Sequence, residues 1–79
     1  MLNDVINLLE LHLRDAVNYQ RLGQKEKAEK EFDVVTVALS AMSAMTEATF
    51  TLFNDETKFE ILLKSKDGFT IVLARVYRH

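Results

Sequence analysis

The sequence predicts an α+β domain of order ααβββ: an antiparallel two-helix hairpin followed by, and packed on, a three-stranded antiparallel β-meander. Three observations predict it. Apolar residues recur at helical spacing as far as Thr46 and at every second position after it. The two glycines, Gly23 and Gly68, stand where a helix must stop and a strand must turn. Both connections between the predicted strands are short, so consecutive strands pair and the second lies in the middle.

Helix 1 is predicted over residues 2–22. Leu2, Val5, Ile6, Leu9, His12, Leu13, Ala16, Val17 and Tyr19 fall on one wide arc, with Asn3, Asn7, Glu10, Arg14, Asn18 and Arg21 opposite. Leu11 and Leu22 lie off that arc, Leu11 on the polar side as an exposed or contact residue. Gly23 closes the helix. Helix 2 is predicted over 25–46. Its first turns, Gln24 to Glu31, are a solvated surface of alternating charge in which only Ala28 and, just beyond, Phe32 face inward. From Val34 to Thr46 there is no charge at all. One stripe of Phe32, Val35, Leu39 and Met42 suits the first helix. A second, smaller stripe of Val34, Val37, Ala38, Ala41, Ala44 and Met45 calls for another cover, and Thr36, Ser40 and Ser43 leave a narrow polar edge. The expectation is a helix held between two internal neighbours, with the sheet over Val34, Ala38, Ala41 and Met45.

Strands are predicted at about 48–53, 57–64 and 69–77. Asn54, Asp55 and Glu56 form the first turn. Ser65-Lys66-Asp67-Gly68 suits a type I turn closed by a glycine bulge. That three-residue loop sets Ser65 opposite Phe69, and Phe59, Ile61 and Leu63 then share the helix-facing side with Phe69, Ile71 and Leu73. Thr70, Val72, Ala74 and Val76 point to the other face, beside Leu62. A two- or four-residue loop would exchange the two sets. Either way strand 3 is an edge strand, apolar on both faces, without the charges or prolines that guard an edge.

Tyr19-x3-Gly23-x4-Ala28-x3-Phe32 resembles the turn of a tetratricopeptide hairpin, in which glycine opens the second helix and small and aromatic residues lock it. The likeness stops there: no second repeat and no proline follow, and strands come next. It implies an antiparallel helical hairpin and brings no peptide-binding function with it.

At 79 residues the chain reads as one domain, 1–79. A chain this short buries only about 60% of its unfolded surface. It has no cysteine, so neither disulfides nor a thiolate metal site add to its stability, and dense packing or oligomerisation must do so. Acid near the start and no basic n-region argue against a signal peptide. The uncharged run is too short and too rich in Ser and Thr to span a bilayer. A cytoplasmic protein without membrane contact is expected.

The chemistry is sparse. His12 reads as a partly buried structural histidine with no second ligand-type residue one turn away. Asp4, Asp15, Asp33 and Glu47 are scattered, Ser40, Ser43 and Ser65 have no nucleophile signature, and neither glycine belongs to a phosphate-cradling loop. No catalytic residue, metal ligand or cofactor is assigned, and an enzyme is not expected. The last quarter of the chain is basic, with Lys58, Lys64, Lys66, Arg75 and Arg78, while the rest is acidic. Nucleic acid bound through the basic C-terminal hairpin, with Phe69 and Tyr77 beside the cations, is the alternative reading. The leading one is a small protein-binding regulator, adaptor or inhibitor, homodimeric, of the kind phages and mobile elements encode. Its partner is unidentified. Its expected interface is strand 3: Leu62, Val72, Ala74 and Val76, rimmed by Arg75 and Arg78.

Overall fold

Two helices precede three strands in the computed structural model, which describes residues 1–79. They are α1 (Leu2–Arg21), α2 (Lys25–Met45), β1 (Thr49–Asn54), β2 (Lys58–Lys64) and β3 (Thr70–Tyr77). The strands form one antiparallel sheet in the order β1-β2-β3. This is the predicted ααβββ order, with the helices packed on the sheet.

The hairpin turns where the glycine requires it. Gly23 has φ +74. The Gln24 amide donates to Tyr19 O at 2.8 Å and the Gly23 amide to Gln20 O at 3.1 Å. These two bonds satisfy carbonyls that the end of α1 would otherwise leave free, the pairing characteristic of a glycine-closed helix. Further along, His12 Nδ1 and Glu31 Oε2 are hydrogen-bonded at 2.6 Å, joining the two helices. His12 is thus a half-buried structural residue.

Both helices lie on the sheet, α1 over β3 and α2 over β1. From α1, Ile6, Leu9, Leu13 and Val17 enter the core, and α2 adds Val35 and Leu39. Phe50, Phe59 and Ile61 rise to meet them from β1 and β2, and Phe32 stacks on Phe59 at 4.9 Å between ring centroids. Ser43 pins α2 to the first strand. Its hydroxyl donates to Leu39 O at 2.9 Å and accepts the Phe50 amide at 2.8 Å.

The expected three-residue loop is present. Ser65 N donates to Phe69 O at 2.8 Å, Gly68 N to Ser65 O at 3.0 Å, and Gly68 sits at φ +93. The register that follows is the predicted one, Lys64 opposite Thr70, Leu63 opposite Ile71 and Leu62 opposite Val72. The ladder then slips. Ile61 pairs with Ala74 and Phe59 with Val76, leaving Leu73 as an unmatched extra residue. This β-bulge exchanges the two faces of the strand from Ala74 onward. Ala74 and Val76, expected on the outer face, are buried beneath the helices. Phe69 and Ile71 precede the bulge and keep the predicted phase, Ile71 opposite Leu63, yet both are exposed. The exchange turns Arg75 outward to Glu60 and sets Ala74 and Val76 in the core. It also sets small side chains under α1, which can then approach the sheet closely.

Asp55 organises the β1–β2 turn. Its Oδ1 accepts the Thr57 amide (2.8 Å), the Thr57 hydroxyl (2.8 Å) and the Lys58 amide (3.0 Å), and its Oδ2 faces Lys58 Nζ at 3.1 Å. These donors, Thr57 first, hold its carboxyl well below the ordinary 3.8. Because the folded chain holds the proton less tightly than the unfolded one, the stabilisation is present above pH 3.8 and fades as the pH falls below it. Urea unfolding of the native chain and of Asp55→Ala should therefore differ at neutral pH and converge as the pH is lowered from about 4 toward 2. A gap that widened in acid would contradict this account of the turn.

Candidate interaction surface

The uncharged part of α2 meets its neighbours on one side only. Val35 and Leu39 are buried and Phe32, Ala38 and Met42 pack partly against the core. The expected cover over the smaller stripe does not form. Val34, Val37 and Met45 are 45, 68 and 84% exposed, and Ala41 and Ala44 are exposed beside them. The reason is geometric. Two helices lying side by side on one sheet each have a neighbour below and a neighbour beside, but nothing above. A helix between two internal layers would need a third layer.

The upper face of α1 continues the same surface. Leu8 and Leu11 are 54 and 57% exposed and Val5 is 41% exposed. Leu11 was legible as a contact residue; Leu8 was not, because it lies just beyond the arc that faces the sheet. Spacing alone carries the signal. Asp4, Leu8, Leu11 and Asp15 are separated by four, three and four positions, and Lys30, Val34, Val37, Ala41 and Ala44 by four, three, four and three. Such alternation keeps a row of residues on one side of a helix, the spacing that helix–helix seams use, with Leu8 and Leu11 apolar on α1 and Val34, Val37, Ala41 and Ala44 apolar on α2. Each helix therefore carries a second seam, distinct from the one used inside the hairpin. At the open end of the hairpin the surface runs into an apolar groove of about 620 Å³, lined by Met1, Leu2, Val5, Met42, Met45 and Phe50 among others.

The strand-side candidates are dispersed. Leu62 is half-buried and Val72 exposed, side by side on the outer face. Ala74 and Val76 are in the core. Arg75 stands opposite Glu60 and donates from Nε to Glu60 Oε2 at 2.7 Å. Glu60 first, and then Tyr77, raise the Arg75 pKa further, so this guanidinium stays charged and bound. Arg78 clamps the end of the fold. Its Nε donates to Asp55 O at 2.7 Å, its guanidinium lies 4.1 Å from the Phe59 ring centroid, and its carbonyl accepts two bonds from Arg21.

The basic residues of the C-terminal hairpin are likewise separated. Lys64 and Lys66 lie at its turn, Arg75 and Arg78 toward the opposite end of β3. Arg14, Arg21, Arg75 and His79 meet in a cleft of about 370 Å³ between α1 and β3. There Glu10 pairs with Arg14 at 3.4 Å and Glu60 with Arg75, so much of its positive charge is already compensated. No group of three acidic or histidine side chains is placed to hold a metal ion, and no helix is long and apolar enough to cross a membrane. Comparison with protein-family models, curated proteins and solved structures finds no match to this chain.

Proposed function

We propose that this chain acts by protein contact, as a small non-enzymatic regulator, adaptor or inhibitor, through the outer face of its helical hairpin. The observation that supports this most is the uncharged stretch of α2, whose upper half is apolar and uncovered. Single exposed apolar residues are ordinary, whereas a contiguous apolar face on two adjacent helices marks an interaction surface. The polar clusters point the same way by being already engaged: Asp55 in a turn, Glu60 with Arg75 across two strands, His12 with Glu31 between the helices. The surface argued for is thus the helical one, in place of β3.

Affinity capture from a native lysate tests this, with the native chain and Val37→Lys as paired baits. Val37 is mostly exposed, so the lysine leaves the fold intact while placing a charge in the middle of the face. Capture should fall about tenfold or more, the effect of roughly 1.4 kcal/mol lost at a contact. Equal capture by both baits would remove the helical face from consideration.

A further inference from the structure

We propose that the outer face of the helical hairpin is covered by a second copy of this chain, α1 of each copy lying antiparallel on α2 of the other in a four-helix bundle with a sheet on either side. The proposal rests on the reading of that face as the contact surface and names its occupant.

The exposed area argues for an occupant of this size. A folded monomer of 9.1 kDa should expose roughly 4,900 Å². This chain exposes 5536 Å². The excess, roughly 600 Å², approaches the ~800 Å² that each partner contributes to a stable interface. The seams supply the geometry. Four helices around one core need two seams on each, one for each neighbour, and α1 and α2 both have them.

The height of the residues selects the symmetry axis. Since the side chains of His12 and Glu31 meet, their heights agree to within about three residues, which places Leu8 beside the stretch from Val34 to Ala38 and Asp15 beside that from Lys27 to Glu31. A two-fold axis parallel to the helices preserves these heights. It sets Leu8 and Leu11 over Val34 and Val37 of the second copy, and it delivers Asp15 between Lys27 and Lys30 of that copy. A two-fold axis perpendicular to the helices does worse. Centred on Leu8 and Leu11, it opposes Asp4 to Asp15 of the second copy, like charge to like. Centred on the apolar end, it leaves the other half of each hairpin overhanging.

The absence of cysteine makes the test clean, because any cysteine introduced is the only one. Leu8→Cys and Val37→Cys proteins are treated with a short bis-maleimide, each alone and then mixed. The mixture should yield several-fold more covalent dimer than either alone, because only Leu8 of one copy and Val37 of the other face each other. Efficient linking by Leu8→Cys alone would overturn the arrangement. A monomer mass by light scattering at high micromolar concentration, together with no excess dimer in the mixture, would overturn self-pairing altogether. Val37→Lys should weaken dimerisation about a hundredfold or more, since symmetry applies the change twice, with an unaltered circular dichroism spectrum. If the native chain is monomeric but still captures a foreign protein in a Val37-dependent way, self-pairing fails and the protein-contact reading stands.

Discussion

Val76→Lys should leave the chain unfolded at 25 °C, while Val72→Lys, four positions earlier on the same strand, should change its stability by no more than about 1 kcal/mol. The two residues have the same side chain and the same strand parity, and a regular strand would place them on one face. The bulge at Leu73 separates them. Val76 is 3% exposed and Val72 43%. A lysine at 76 would bring an ammonium into the core between α1 and β2 with no carboxylate to meet it, at a cost of several kcal/mol. A domain of this size has only about 5–10 kcal/mol in total. Far-UV circular dichroism and amide dispersion in NMR read the outcome directly. Two variants that behaved alike would mean that β3 pairs without a bulge.

Ile61→Ala should be the most damaging truncation to a smaller side chain on the sheet. Ile61 is fully buried at the centre of the middle strand, flanked by Leu52 on β1 and Ala74 on β3. Its neighbours are fixed by two ladders and by the helices above, so the site cannot collapse around the missing methylenes. A loss of about 3–4 kcal/mol is expected, which for a chain this short lowers the melting temperature by about 15 °C or more. Thermal unfolding followed by circular dichroism measures it. A shift of only a few degrees would show that the helices relax onto the sheet.

The sequence was most legible where a residue type has one physical solution. Gly23 and Gly68 occupy positive φ, Ser65 and Asp67 belong to the turn they suggest, and the change of period near Thr46 marks the passage from helix to strand. It was least legible where two solutions bury equal amounts. The run from Ile71 to Ala74 is apolar in both alternations and holds neither glycine nor proline to betray a bulge. The reading therefore put Ala74 and Val76 outside and Leu73 wholly inside. The second stripe of α2 failed for a related reason. Lack of charge shows that a helix face tolerates cover, and the cover over Val34, Ala38, Ala41 and Met45 was assigned to the sheet, which leaves Val34, Ala41 and Met45 exposed. Arg78 was taken for a rim residue because nothing in sequence links it to Asp55, Phe59 or Arg21, the last of them 57 positions away.

That last distance has a bearing on time. The sheet-side neighbour of the first helix is the final strand, so α1 has its inner face uncovered until β3 has been made. At about 5–20 residues per second, the interval between the synthesis of Arg21 and that of Arg78 is roughly 3–11 seconds. Helices form in a fraction of that time, in microseconds or less. A nascent chain therefore waits as a helical hairpin with its inner apolar face still uncovered, and the step that ends the wait is the long-range closure of β3 under α1.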